Sequence, residues 1–363
     1  MKVCFRVDSG EKIGGGHLAR CITLAKALEL SLGVTCYFLT GNHEGHLLKK
    51  ISEEKFNYEL LPLQFIPDYY SGDYKHWLGN DWLNDANEAV RYLESQEFTD
   101  QDWVVVDHYG IDQKWEAIIS EKGYKVGVID DLANRNHISS FLLDQTVGRS
   151  DKDYEKLTSP MCTLFTGEKY CLLRPDFLVY RTRALARRQG CKAPRTLLIN
   201  FGSTDPLNHT SRVLKGIDSF AIKNNLRVVV VVGGKCAYIN VIKTVIKKVD
   251  YDCSLQLDVK DMAKLMFGVD IAIGAAGATT WERCLMGIPT LLIKTAENQS
   301  FAIASVIRSG AAIEYIGEPE NTKIGESLEK LISSYYEISS RASALIDGKG
   351  ILRLVDFFSI SKN

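Results

Sequence analysis

Short, almost unbroken apolar runs alternate with helix-length stretches along this chain, and the alternation starts twice from a strand that opens into a glycine-bearing loop. The first start is Lys2 to Asp8 followed by Gly10 to Gly16. The second is Arg195 to Phe201 followed by Gly202-Ser203-Thr204-Asp205-Pro206. Strands that are apolar on both faces belong inside a parallel sheet covered by helices on each side, because a strand with one wet face would alternate. Thr35 to Leu39, Asp102 to Asp107 and Lys125 to Asp130 continue the first series, with a helix expected from about His17 to Leu32. Leu226 to Val232, Asp270 to Gly274 and Thr290 to Ile293 continue the second. At 363 residues the chain is longer than one core usually serves. The expected fold class is α/β, with two facing Rossmann-like domains over 1–188 and 189–363 and an active-site cleft between them. The boundary is expected near Ala184 to Pro194, where a basic helical stretch gives way to coil. The helix Gly350 to Ser359 is a candidate to cross back to the first domain.

Charge narrows the function classes. The 44 Lys and Arg and 45 Asp and Glu leave a net charge of −1, which argues against a nucleic-acid surface or an electrostatic membrane anchor. A single nucleotide-sized anion needs only a local positive site and stays open. The longest apolar runs, such as Val228 to Val232, are strand-sized, and MKVCFRVDSG has no leader pattern, so a cytoplasmic protein is expected. Nine cysteines are scattered without a CxxC pair or a zinc-type spacing, so no metal is expected and the thiols read as small buried hydrophobes. The stretch from Gln64 to Asn84 breaks the rhythm. Pro67, Tyr69, Tyr70, Gly72, Tyr74, Trp77, Gly79 and Trp82 suit either a lid over a ligand or a surface insertion.

Three segments carry candidate chemistry. In Ile13-Gly14-Gly15-Gly16-His17-Leu18-Ala19-Arg20, glycines let the backbone approach a ligand before a helix begins. Gly14, Gly16 and Ala19 match a dinucleotide fingerprint only if alanine is accepted last, and no acidic residue ends the second strand, so dinucleotide binding is disfavoured. At the first turn of a helix, the positive end of the dipole favours neutral imidazole, the form a general base near pH 7 requires. A helix-start histidine bonded to solvent or to the loop satisfies the same spacing. The second segment, Asp107-His108-Tyr109-Gly110, ends an apolar strand, where side chains of open α/β sheets point into the ligand crevice; a simple turn is the alternative. The third is Gly274-Ala275-Ala276-Gly277-Ala278-Thr279-Thr280-Trp281-Glu282. Its small residues clear space, two hydroxyls open a helix suited to phosphate, and Glu282 offers acceptors for ribose hydroxyls. Capping by Thr279 or Thr280, with Glu282 as a first-turn acid, explains those residues but not the small-residue run.

Together these segments resemble the UDP-2,4-diacetamido-2,4,6-trideoxy-β-L-altropyranose hydrolases of pseudaminic acid biosynthesis. The resemblance also takes in Phe5-Arg6-Val7-Asp8, Trp77-Leu78-Gly79, Leu173-Arg174-Pro175-Asp176-Phe177, Phe201-Gly202-Ser203-Thr204-Asp205 and Glu297-Asn298-Gln299, and so spans most of the chain. The family is similar in turn to GT-B glycosyltransferases, including the one that adds N-acetylglucosamine in peptidoglycan synthesis. Phe201-Gly202-Ser203-Thr204 departs from the usual Gly-Gly-Thr, and Ala278-Thr279-Thr280 stands where serines are common; both keep small and hydroxyl character.

The resemblance implies a UDP-sugar substrate, attack of water at the anomeric carbon with C–O cleavage and inversion, and no cofactor or metal. It implies His17 as base or water-positioning residue, with Arg6, Asp8, Gly14, Gly16, Tyr109 and Arg174 on the sugar side. Gly202, Ser203, Ala278, Thr279, Thr280, Glu282, Asn298 and Gln299 would contact the nucleotide. A glycosyltransferase on the same fold and a non-catalytic nucleotide-sugar binder are the alternatives. The sequence sets no oligomeric state and leaves a monomer open.

Overall fold

The computed structural model describes residues 1–65 and 74–362, so Pro67, Tyr69, Tyr70 and Gly72 of the expected lid or insertion lie outside the described residues. The chain divides into two compact units, Met1–Leu172 with Lys349–Asn363, and Leu173–Gly348.

Among its described residues the first unit holds seven strands: β1 (Lys2–Val7), β2 (Thr35–Gly41), β3 (Asn57–Leu61), β4 (Trp103–Asp107), β5 (Lys125–Ile129), β6 (Phe141–Asp144) and β7 (Thr163–Thr166). They pair in the order β3-β2-β1-β4-β5-β6-β7, every pair parallel. Alternate residues of β1 explain the two buried faces. Val3, Phe5 and Val7 pack with Leu18, Leu24 and Leu28 of the helix Gly16–Leu32, while Cys4 joins Leu39, Val104 and Val106 against Ala86, Val90 and Trp115. The helix Gly350–Lys362 belongs to this unit. Its Phe358 ring lies 5.1 Å from Trp103 and 5.6 Å from Phe141, and Phe357 lies 5.2 Å from Phe165. Burying a ring of this size is worth about 1.5–3 kcal/mol, so the helix docks on its own apolar contacts.

The second unit holds β8 (Thr196–Asn200), β9 (Arg227–Val232), β10 (Cys253–Leu257), β11 (Ile271–Gly274), β12 (Thr290–Leu292) and β13 (Ile313–Glu314). These are parallel in the order β10-β9-β8-β11-β12-β13. Leu197, Ile199, Val228, Val230, Ile271 and Ile273 build its core from one sheet face.

The units part at Leu172, upstream of the division expected after residue 188. The reason is the helix Asp176–Gln189, which is tied into the second unit by polar groups. Arg188 is buried and donates to the carbonyls of Met266 and Val269, Arg187 pairs with Asp270, and Arg181 donates to Ser343 and Ile346. Among the described residues no helix is long and apolar enough to cross a membrane.

Candidate functional site

In each unit the chain runs outward from its first strand on one side and then returns to the other side. The strand order therefore reverses between β1 and β4, and again between β8 and β11. At such a reversal the loops leaving the strand ends diverge and open a crevice, where open α/β sheets bind ligands.

In the first unit the β1–β4 reversal gathers residues that are far apart in sequence. Val7 lies beside Asp107 in register, and the helix Gly16–Leu32 starts directly above them. Gly14 adopts φ +81, closing a short turn by mutual backbone bonds with Gly10, and a side chain added at Gly14 or Gly16 would meet nothing within 4 Å. Positions 17, 20 and 21 share one helix face. From it, His17 Nδ1 lies 2.6 Å from Asp107 Oδ1, Arg20 donates Nε and Nη2 to the same carboxylate at 2.6 Å each, and Cys21 Sγ is 3.4 Å away. Arg20 Nη1 also reaches Asp131 at 3.0 Å. Arg20 Nη2 also lies 3.1 Å from His17 Nδ1, but the Asp107 oxygen is nearer and a carboxylate donates no proton, so in the neutral ring the proton is assigned to Nδ1 and Nε2 is left as an acceptor. The Asp107 side chain is fully buried and that of His17 is 14% exposed, so the imidazole is reachable from solvent while its carboxylate partner is not. Burial raises the Asp107 carboxyl, but Arg20 and His17 outweigh it and hold the group below the usual carboxylate range.

Tyr109 packs edge-on against His17 with ring centroids 4.6 Å apart, and Tyr74 and Trp77 stack around Tyr109 at 5.0 and 5.7 Å. An aromatic wall therefore stands beside the histidine. Arg6 and Asp8 lie deeper, both buried and paired with each other. Arg6 also pairs with Asp85, which accepts from Trp115 Nε1 at 2.9 Å. Asp8 further receives Gly41 N at 2.6 Å, with His43 Nε2 at 2.9 Å and His108 Nε2 at 3.0 Å. Gly110 N donates to His108 Nδ1 at 2.9 Å, placing the imidazole proton on Nε2, toward Asp8. Burial raises the Asp8 carboxyl too, yet Arg6 and His108 hold it well below its ordinary value, while burial pushes His108 down. Arg6 and Asp8 thus back the crevice as an ion network instead of standing at its surface.

In the second unit, Gly202 takes φ +88 after β8, and nothing lies within 4 Å of where its side chain would be. Ser203 O accepts from Gly233 N, and the buried Asp205 caps the next helix by accepting from His209 N and Thr210 N, each at 2.9 Å. Across the reversal, Gly274 pairs in register with Asn200. The helix Thr279–Leu285 follows an Ala278 cap with no side-chain capping bond, so neither threonine is its N-cap. Thr280 is buried and donates to Ala275 O at 3.1 Å; Thr279 is half-buried and Ala278 exposed. Arg283 Nη2 donates to Ala275 O at 2.7 Å and to Thr280 Oγ1 at 3.0 Å. Gly277 opens onto free space.

Arg174, expected on the sugar side with Tyr109, belongs instead to the second unit, where Nη2 lies 3.6 Å from Glu282 and Nη1 donates to Lys260 O. Burial raises the Glu282 carboxyl, against the pull of Arg174 and Arg283. Asn298 is half-buried in the turn Glu297–Gln299, and the Gln299 amide is engaged with Thr295. Among the described residues no cluster of His, Cys, Asp and Glu is arranged to hold a metal ion. Sequence reading passed over Arg20, Asp131, His43 and Arg283. Only Arg20 left a signal there, three residues after His17 on the same helix face.

No family model matches the chain. Its relatives include the spore coat polysaccharide biosynthesis protein SpsG of Bacillus subtilis, 24% identical over 98% of this chain and 96% of that protein. The uncharacterized protein MJ1062 of Methanocaldococcus jannaschii is 25% identical over 82% of this chain, which spans 57% of that longer protein. The UDP-2,4-diacetamido-2,4,6-trideoxy-β-L-altropyranose hydrolase of Campylobacter jejuni is 29% identical over 49% of this chain and 53% of that enzyme. Among solved structures, MurG of Acinetobacter baumannii superposes with a TM-score of 0.67 at 15% identity over 99% of both chains. Phytolacca americana UGT2, complexed with UDP-2-fluoro-glucose and pterostilbene, superposes with a TM-score of 0.70 at 11% identity over all of both chains. What is shared with these structures is the fold: two parallel-sheet α/β domains, with GT-B proteins as structural neighbours.

Proposed function

We propose that this protein hydrolyses a UDP-linked diacetamido-trideoxyhexose to the free sugar and UDP. The observation that carries the reading is the 2.6 Å contact of His17 Nδ1 with the buried Asp107, which in the neutral ring leaves Nε2 as the acceptor of a partly exposed side chain at a strand-order reversal. A nitrogen so prepared is a general base, and Asp107 stabilises the imidazolium that forms when it takes a proton. Water oxygen bonds to the anomeric carbon from the face opposite the leaving group, its proton passes to His17, and the C–O electron pair departs with UDP. The anomeric centre inverts. The sugar packs against Tyr109, an apolar face with a polar tip. In the second unit, Gly202, Ser203, Ala278, Thr279 and Thr280 surround the diphosphate, Glu282 binds ribose hydroxyls, and Asn298 and Gln299 add nucleotide contacts. The substrate class follows the named Campylobacter jejuni relative, and a structural neighbour complexed with UDP-2-fluoro-glucose is consistent with it. No metal takes part in this scheme.

Incubating the protein with UDP-2,4-diacetamido-2,4,6-trideoxy-β-L-altropyranose alone, followed by NMR of the anomeric proton, tests this directly. Release of UDP and of free sugar with inverted configuration is expected. Turnover that appears only after an acceptor is added would make the protein a glycosyltransferase, and saturable binding without turnover would make it a binding protein. A Glu282→Ala variant is expected to bind UDP about tenfold more weakly by calorimetry, the loss of one or two hydrogen bonds. An unchanged titration would take Glu282 away from the ribose.

A further inference from the structure

The buried arginines of this protein differ in how their charge is met. Arg6 faces Asp8 and Asp85 and Arg20 faces Asp107 and Asp131, whereas Arg188 has no carboxylate at ion-pair distance among the described residues and spends its Nη groups on the carbonyls of Ala184, Met266 and Val269, with Nε unpartnered. Arg283 has the fewest hydrogen-bonded nitrogens of the four. Its side chain is 0% exposed, and among the described residues no carboxylate lies within ion-pair distance of it. Nη2 is bonded to Ala275 O and Thr280 Oγ1, whereas Nε and Nη1 have no hydrogen-bond partner among the described residues. Burial pushes the guanidinium down to about 10, which leaves it charged at neutral pH. Glu282 favours the charged guanidinium only from beyond ion-pair distance, and a buried charge with so little compensation is costly unless a ligand completes the pair.

The position of the charge says what that ligand is. A side-chain carbon added at Gly274 would lie 2.4 Å from Arg283 Nη1 and 2.4 Å from Asn200 O, so Nη1 sits under the adjoining ends of β8 and β11, where the strand order reverses. The buried Asn200 Oδ1 there is unpartnered too. Above the guanidinium runs Gly274-Ala275-Ala276-Gly277-Ala278, which carries no side chain beyond a methyl group, and Gly277 opens onto free space. An anion on that turn would be separated from Arg283 by one layer of backbone, in a medium where charges are felt more strongly than in water.

We propose that Arg283 is the buried countercharge of a diphosphate bound on the Gly274–Thr280 turn. It acts as a positioning residue, clamping Ala275 O and Thr280 Oγ1 from beneath while its charge compensates the anion. The inference rests on the same site as the UDP-sugar reading and assigns it the source of its positive potential. It also accounts for the small residues above Arg283, since any larger side chain would hold the anion away from the charge.

The test uses the full chain, Arg283→Met and Arg283→Lys, with UDP, inorganic pyrophosphate and uridine as probes in calorimetric or NMR titrations, and with melting curves of the ligand-free proteins. The expected result is that Arg283→Met melts no lower than wild type, loses at least about tenfold in affinity for UDP and pyrophosphate, and keeps its affinity for uridine. Arg283→Lys, which keeps the charge, should retain most of the anion affinity. A variant with unchanged affinity for both anions overturns the inference. So does a proportional loss of uridine and UDP together with a lowered melting temperature, which would mark a purely structural role. If Arg283→Met does not fold, Arg283→Gln replaces it, and equal losses in the Lys and Gln variants overturn the inference. Wild type that binds UDP with an affinity indifferent to Arg283 leaves the UDP-sugar reading standing without this inference. Pyrophosphate binding that depends on Arg283, with no binding of UDP, does the reverse, and a wild type that binds neither removes both.

Discussion

A His17→Ala variant is expected to fold and melt like wild type while losing about 10²–10⁴-fold in kcat. The two halves of that expectation have separate causes. Removing the imidazole takes one hydrogen bond from Asp107, but Arg20 still binds both carboxylate oxygens at 2.6 Å, so no buried charge is stranded. The His17 side chain is partly exposed, so its loss opens no sealed cavity. Activity fares differently, because water then has no acceptor for its proton at the site. Circular dichroism with steady-state release of UDP checks both halves, and unchanged turnover in the folded variant would remove His17 from the chemistry.

Asp107→Asn should be the more damaging change, because it reaches activity and stability together. An amide in place of the carboxylate can donate to His17 Nδ1, which moves the imidazole proton to Nε2 and leaves nothing to accept one from water; a fall in kcat of about 10²–10⁴-fold follows. Arg20 meanwhile keeps only Asp131 at 3.0 Å as a charged partner. Breaking a buried pair from one side costs about 3–5 kcal/mol, and Asp131 reduces that toward the lower figure. The pH dependence has a definite sign. Burial raises the Asp107 carboxyl, but Arg20 and His17 together hold it below its unfolded value, so its stabilisation is complete above about pH 4 and is lost as pH falls further. Denaturant unfolding followed against pH should therefore show a flatter acid limb in Asp107→Asn. An acid limb and a neutral-pH stability identical to wild type would mean that Arg20 is balanced elsewhere.

The central strands were legible because burial on both faces leaves a continuous apolar run, as in Val228 to Val232. The strands that went unread are mostly those where that pressure relaxes. Asn57–Leu61 and Cys253–Leu257 are edge strands whose side chains, Leu61 apart, are exposed or half-buried, and Ile313–Glu314 is too short to leave a pattern. Phe141–Asp144 is buried but only four residues long. The domain boundary misled for another reason: Asp176–Gln189 is a polar helix whose arginines reach backbone carbonyls, and sequence does not reveal which carbonyls those are.

At the candidate site, residue types were readable and their partners were not. His17 and Asp107 lie 90 residues apart in sequence and meet only through the register of β1 on β4. The resemblance alone put Arg174 on the sugar side, and it pairs with Glu282 more than a hundred positions later. Arg283 directly follows Glu282, but nothing in the sequence signals that it would be buried with no carboxylate at ion-pair distance, since that depends on what the fold leaves out.

The docking of Gly350–Lys362 on the first unit sets the order in which this chain is completed as it leaves the ribosome. The second unit has all its residues, Leu173–Gly348, in hand before the first has its last helix. Until that helix emerges, Trp103, Phe141 and Phe165 await the two rings that cover them. The unit that begins the chain is thus the last to close, and an uncovered aromatic surface persists through the synthesis of nearly half the protein, the interval in which newly made chains are most prone to associate.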